Sequence, residues 1–143
     1  MTDQAMDKTP RVFTRDDVKV FDRGNGVTTR LFCSASRCGA AVTTGTTTLP
    51  VGRSVALHTH NCDEQIVILE GHAEAEFRGE RRPIGPMEVA YIPEGEVHCF
   101  HNVGDTTVVM LFIYDAGEVT RTFAATGETV RHLGEGDKAQ PGG

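Results

Sequence analysis

The sequence predicts an all-β fold, a sandwich or barrel of about eight to ten short strands. Three observations predict it. Short runs are rich in apolar and β-branched residues, as in 27–32, 64–69 and 106–114. Turn residues punctuate these runs, with 16 glycines and 6 prolines in 143 residues. No stretch repeats its apolar residues at helical spacing.

Taken in order, residues 1–10 are polar and aperiodic and read as a loose arm. Residues 11–21 alternate partly, as a strand on the edge of the domain or along a partner subunit. A turn at 22–26 leads to a strand at 27–32, which a Ser/Gly-rich loop closes. The Thr-rich strand 40–49 contains Gly45, which marks a bulge or a close backbone approach. Residues 64–69 form a buried strand. The run 72–77 then sends Ala73, Ala75 and Phe77 one way and His72, Glu74 and Glu76 the other. Residues 78–81 make a hairpin turn, and 87–92 lead into the turn Pro93-Glu94-Gly95. The longest apolar strand is 106–114, and 119–123 is one more strand-like piece lying over a barrel end. Residues 134–143 are expected to be disordered. The domain therefore spans 11–123, with a C-terminal tail at 124–143.

Bulk properties exclude several roles. The formal charge is −6 and no Lys/Arg cluster stands out, which argues against nucleic acid or an anionic membrane as partner. There is no run of about twenty apolar residues and no apolar signal segment, so a soluble cytoplasmic protein is expected. Cys33, Cys38, Cys62 and Cys99 form no CxxC pair and read as reduced thiols. Cys62 and Cys99 stand beside the histidines described next, and packing is the better reading of both.

His58 and His60 are two residues apart, so a strand presents both imidazoles on one face. The loop 61–63 turns the chain and returns the carboxylate of Glu64. After the Pro93–Gly95 turn, His98 supplies a third imidazole. Imidazoles and a carboxylate on one concave face outline a site for a first-row transition metal. His101, three residues beyond His98, points to the opposite face as a surface or rim histidine. His72 and His132 have no assigned role.

Gly52, His58, His60, Glu64 and Gly71, followed by Pro93, Gly95, His98 and Asn102, resemble the paired motifs of the cupin superfamily, of the small single-domain, conserved-barrel type. One position departs: Met87 stands where the second motif usually opens with glycine, and Gly85 is expected to supply a displaced turn. The motifs occupy 52–71 and 85–102. The resemblance implies a cupin β-barrel of jelly-roll type and one divalent metal held by His58, His60, Glu64 and His98. It also implies a homodimer whose N-terminal strand crosses to the partner, and a turn fixed by the Asn102 side chain.

Three neutral imidazoles and one carboxylate leave a dication with net charge near +1, and octahedral geometry would leave two positions open. The donors favour Fe, Mn, Ni, Cu or Zn over Ca or Mg without choosing among them. The expected function is a metal-dependent enzyme on a small oxygenated molecule, either a dioxygenase or a redox-neutral isomerase, lyase or cyclase. The alternative is a non-catalytic module or sensor that holds a small ligand through the metal. A storage role is disfavoured, since those proteins usually pair two such domains. Phe100, Tyr91, Phe32 and Tyr114 are pocket candidates, with Phe100 favoured because it shares a face with His98. Arg30 is the candidate anchor for an anionic substrate.

Overall fold

The structure, a computed structural model, describes residues 8–140. The outermost parts of the expected arm and tail, 1–7 and 141–143, lie outside the described residues. Twelve strands form two antiparallel six-stranded sheets. The first runs β1 (Lys19–Asp22), β2 (Thr28–Cys33), β3 (Thr43–Leu49), β10 (Val108–Tyr114), β5 (Glu64–Glu70), β8 (Val89–Ile92). The second runs β12 (Thr129–Arg131), β11 (Thr120–Phe123), β4 (His58–His60), β9 (His98–Asn102), β6 (Ala73–Phe77), β7 (Glu80–Ile84). This is a jelly-roll sandwich whose sheets stay open at their edges, so the expected barrel closure is not reached by strand pairing. Among the described residues, no helix is long and apolar enough to cross a membrane.

The core lies where the inner faces of the two sheets meet. Along β10, Val108, Met110, Phe112 and Tyr114 are buried while the residues between them are only half-buried. Opposite them, Ala73, Ala75 and Phe100 fill the inner face of the second sheet. Gly45 shows why a small residue is needed in β3. A Cβ there would collide with the Arg30 carbonyl and stand 2.6 Å from the Phe112 ring. The close approach read from the sequence is what lets β2, β3 and β10 stack around Phe112.

Several expectations change in detail. Of residues 11–21 only Lys19 onward is strand, and Arg15–Asp17 is a single 3₁₀ turn braced by Thr14 and Asp17. The Ser/Gly-rich loop contains a one-turn helix, α1 (Ala35–Cys38), capped by Ser34 and ended by Gly39 at φ 69°. The 78–81 turn narrows to Arg78 and Gly79, at φ 55° and 76°, the pair of positive values a two-residue hairpin requires. Glu80 onward is already strand β7.

At the departure from the second motif, Met87 itself adopts φ 66°, while Gly85 has no positive φ. The turn is therefore not displaced. Met87 donates its amide to the Ile68 carbonyl at 2.8 Å and is 80% exposed, so the β5–β8 register is kept with a side chain in left-handed backbone.

Residues 134–140 correct the expectation of disorder. After β11 the chain turns back as β12 and returns across the molecule. Ala139 donates to the Arg23 carbonyl at 2.8 Å and accepts from the Ala56 amide at 2.7 Å. Asp137 is 2% exposed and sits between two arginines, 2.8 Å from Arg23 Nη2 and 3.2 Å from Arg121 Nε. Both contacts are ion pairs off the hydrogen-bonding direction, while Arg23 Nε donates squarely to the Asp137 carbonyl at 2.9 Å. A buried carboxylate between two cations ties the segment down.

Two outcomes follow. Met87→Gly should raise stability by up to about 1 kcal/mol, because relief of the left-handed strain exceeds the added freedom of the unfolded chain. An unchanged or lower urea midpoint would show that the turn costs nothing. Asp137→Asn should lose about 3 kcal/mol in the same assay, since it leaves two buried guanidinium groups without their counter-charge. A loss within experimental error would mean the segment is held by backbone contacts alone.

Candidate metal centre

Three segments bring the predicted ligands together. Strand β4 carries His58 and His60, both buried. The loop after it turns the chain, and Glu64 opens β5 in the facing sheet. His98 opens β9 directly opposite His58. The three imidazoles each offer a nitrogen within 4.8 Å of the others. Glu64 Oε1 lies 2.7 Å from His98 Nε2 and 3.8 Å from His60 Nε2. All four residues are at most 5% exposed.

The imidazoles are held by the backbone. His58 Nδ1 lies 2.6 Å from the Ala56 carbonyl, His60 Nδ1 3.0 Å from that of Thr120, and His98 Nδ1 2.9 Å from that of Glu96. A carbonyl only accepts, so each Nδ1 carries a proton; His58 and His60 turn their Nε2 lone pairs inward, while His98 turns its Nε2 to the Glu64 carboxylate. His58 and His60 Nε2 face each other at 3.1 Å. Both rings are neutral near pH 7. Burial, then the Arg121 guanidinium, keeps His58 well below its usual value, and burial outweighs the pull of Glu64 to bring His60 to about 4. Two lone pairs in contact repel, and a cation placed between them removes that repulsion. Burial alone would raise the Glu64 carboxyl, but His60 and hydrogen bonds from His98 and Tyr114 bring it down to about 2. A buried carboxylate among inward-facing imidazole lone pairs fits a divalent transition metal.

Beside this set is a small cavity of about 20 Å³, lined by His58, Glu64, Phe100, Tyr114 and Arg121 among others. That is room for about one water molecule. Of the pocket candidates, Phe100 and Tyr114 line this cavity. The other three do not. Tyr91 is 60% exposed, and its hydroxyl donates to Asp63 outside the sandwich. It pairs in register with Gln65, whose side chain also faces solvent. Arg30 is exposed, Phe32 is half-buried, and neither lines the cavity. Asn102 fixes the turn, donating to the Leu49 and Thr106 carbonyls and accepting from the Gly104 amide.

Arg121 and His132 were not singled out by the sequence. Arg121 is 4% exposed, and its Nη1 has no hydrogen-bond partner. His132 is half-buried, edge-on against Phe112 and Tyr114, with ring centroids 5.3 and 5.0 Å away. The faint signal for Arg121 was parity: β11 alternates, so Arg121 and Phe123 share the inward face. A wider surface groove of about 630 Å³, lined by Leu57, Glu76, Phe77 and residues 93–97, does not reach the ligand set.

Acid should destabilise the metal-free protein early. Folded His58, His60 and His132 stay neutral below the ordinary histidine value, the last chiefly through burial. The unfolded chain binds those protons near pH 6.5, so stability is full above that pH and is lost as pH falls toward 4. With up to three protons taken up on unfolding, the slope near pH 5 is about 4 kcal/mol per pH unit. Glu64 adds to the loss only below about 4.5. Urea unfolding of chelator-treated protein at pH 7, 6 and 5 measures this, and a flat profile would mean the rings are not buried neutral.

No protein of curated function matches the sequence. A family profile described as "Cupin domain" matches residues 45–114, which contain all four ligand candidates. Among solved structures, a sugar phosphate isomerase from Silicibacter pomeroyi is 19% identical with a TM-score of 0.63, covering 87% of this chain and 94% of that one. KdgF from Halomonas sp. is 17% identical at TM-score 0.62, covering 75% and 94%. Bacillus subtilis oxalate decarboxylase, whose Mn(II) centres are described, is 19% identical at TM-score 0.67, covering 74% of this chain. This chain spans only 30% of that decarboxylase and 55% of an oxalate oxidase that it also resembles. At such low identity the likeness is one of fold, and it agrees with the profile and with the strand order. By that profile and its strand order, residues 45–114 of this chain are a cupin domain.

Proposed function

We propose that this protein is a metal-dependent enzyme whose substrate is a small oxygenated anion, with the metal on His58, His60, Glu64 and His98. The observation that carries the reading is the facing Nε2 lone pairs of His58 and His60 beside a cavity also lined by Arg121, whose Nη1 has no hydrogen-bond partner. A divalent ion bound there supplies Lewis acidity, or a platform for dioxygen. The chain's own residues divide the remaining work. Arg121 Nη1 is a buried cationic donor without an acceptor, suited to a carboxylate or enolate oxygen. Asp137 holds the far edge of that guanidinium and sets its direction. Phe100, Phe112 and Met110 line the rest of the chamber and keep water out. Neutral His58 and His60 are available as ligands without losing a proton.

The oxalate enzymes and the sugar phosphate isomerase among its fold relatives act on small oxygenated compounds by their names, which supports this substrate class. Between dioxygenase and redox-neutral chemistry the residues do not choose. Simple ligand holding is the second reading, favoured by the cavity's size, since about 20 Å³ is room for about one water molecule. The homodimer expectation belongs to the same proposal. Strand β1 is an unpaired sheet edge with Val20 exposed, suited to a second copy.

Elemental analysis of protein purified without added metal, beside His98→Ala, tests the centre. Near-stoichiometric transition metal that the variant loses is expected, and equal content in both proteins would remove the assignment. Arg121→Met then tests the anion. It should keep its metal yet bind small carboxylates tenfold to a hundredfold more weakly. Unchanged carboxylate affinity would detach Arg121 from substrate. Oxygen uptake with a turned-over carboxylate separates the two enzyme classes, and binding without turnover favours the holding role.

A further inference from the structure

Strand β9 alternates, so the residues between His98, Phe100 and Asn102 point away from the ligand set, onto the outer face of the second sheet. There Cys99 and His101 meet Glu76 from β6, which pairs in register with Cys99. Glu76 Oε1 is 2.8 Å from His101 Nε2, Cys99 Sγ is 3.3 Å from the same nitrogen, and Sγ is 3.5 Å from Oε1. One thiol, one imidazole nitrogen and one carboxylate oxygen thus form a closed triangle.

The triangle has the dimensions of one face of a tetrahedral metal site. Zinc–sulfur and zinc–nitrogen or –oxygen bonds of about 2.3 and 2.0 Å give tetrahedral edges of roughly 3.5 Å from sulfur and 3.3 Å from nitrogen to oxygen. The two sulfur edges are within about 0.2 Å of that. Only the Glu76–His101 edge must open, by about 0.5 Å, and both side chains can give, being 27% and 17% exposed.

The surroundings favour an ion over an ordinary surface pair. Cys99 is 2% exposed, and its sulfur has two polar partners within reach, Glu76 and His101. Arg81 lies across from Glu76 in register but gives its Nε to Glu74 at 2.8 Å, leaving the Glu76 carboxylate to Cys99 and His101. Behind His101, Ser54 Oγ is 2.7 Å from Nδ1. A hydroxyl both donates and accepts. Without an ion, Nε2–H donates to Glu76 and Nδ1 accepts from Ser54. With an ion on the Nε2 lone pair, Nδ1–H donates to Ser54. Either tautomer is satisfied, the arrangement usual behind a metal-bound histidine. Glu76 also lines the wide surface groove, which gives the ion an entry path and a water for the fourth position.

We propose that Cys99, His101 and Glu76 form a second metal site, on the outer face of the sheet, for a dication of the zinc class. Binding releases the Cys99 thiol proton to solvent, and the His101 proton moves to Nδ1. Thiolate and carboxylate together neutralise the dication, and the Arg81–Glu74 pair beside them is neutral as well. Sulfur in the donor set separates this site from the interior one, whose donors are nitrogen and oxygen only.

Cobalt(II) is the probe, added to the full chain after chelator treatment. The expected result is a near-ultraviolet sulfur-to-cobalt charge-transfer band that saturates with its own equivalent of metal. Cys99→Ser should abolish the band and Cys62→Ser should keep it. Glu76→Gln should keep the band and weaken binding at least tenfold. His101→Gln, at a partly exposed position that tolerates change, should lose both the band and the second equivalent even if Cys99→Ser does not fold. Absence of the band in folded wild-type protein, or its persistence in His101→Gln, would overturn the proposal. Loss of the band in Cys62→Ser alone would also overturn it.

Discussion

Three backbone carbonyls decide what the interior of this protein can do. Those of Ala56, Thr120 and Glu96 each accept the Nδ1–H of one buried imidazole and so turn its Nε2 toward the ligand set. A single hydrogen bond of this kind contributes only about 1 kcal/mol. Its larger effect is on the alternative, because a flipped tautomer would bury an unpaired carbonyl and set two N–H groups against each other. The constraint reaches far along the chain. Thr120 belongs to β11, which presents its carbonyl to His60 only because Arg121 and His60 pair in register. Glu96 sits in the turn that aims β9 at β4. The ligand set is therefore a product of sheet register in three places, and a slip in any of them would leave lone pairs pointing at nothing.

Charge burial imposes a second condition. Arg121 beside neutral His58 and His60 would be an uncompensated cation without Asp137. Burial favours the protonated, neutral form of Asp137, but Arg121 and Arg23 outweigh it and hold its carboxyl below the ordinary value. Arg23 also donates to Thr29, which shares a hydrogen bond with Thr47 at the cavity wall. One carboxylate thus joins the first turn of the domain, the last described segment and the chamber. A cluster of this kind contributes little net stability, because desolvation cancels most of its attraction, but breaking it leaves buried charge behind. Its consequence is positional: residues 132–139 are held against the aromatic wall of the cavity.

Much of this could be read in the sequence, and the omissions share a cause. The two-residue spacing of His58 and His60, Glu64 past a short loop, and His98 after a Pro-X-Gly turn are local patterns, and local patterns fix local directions. Gly45 was legible for the same reason. Asp137 was not, because a lone acidic residue in a Gly-rich tail looks solvated until Arg23, 114 positions earlier, is seen beside it. Tyr91 and Arg30 misled through residue type. An aromatic or a guanidinium suggests a pocket, but the strand's own alternation, with Ala90 and Ile92 inward, sends Tyr91 out. Met87 shows the converse. The missing glycine suggested a displaced turn, yet tertiary pairing to Ile68 kept the turn in place and forced methionine into glycine's conformation.

Strand β9 carries donors on both faces because its period of two gives each neighbour the opposite environment. Inward, His98 meets other imidazoles and a carboxylate at almost no exposure, with rings locked by carbonyls. Such a site selects an ion by rigid geometry and nitrogen–oxygen donors. Outward, Cys99 and His101 meet a half-exposed carboxylate, and a hydroxyl that accepts either tautomer stands behind. That side selects by softness, since thiolate prefers zinc-class or cuprous ions to manganese. Raw affinity rises along the divalent series for both sets, so neither face excludes the wrong ion by strength of binding. What separates them is donor type and access: an ion reaching the interior must pass a cavity with room for about one water, while the outer face opens onto a groove of about 630 Å³. Two chemistries can then share one strand without competing for the same metal.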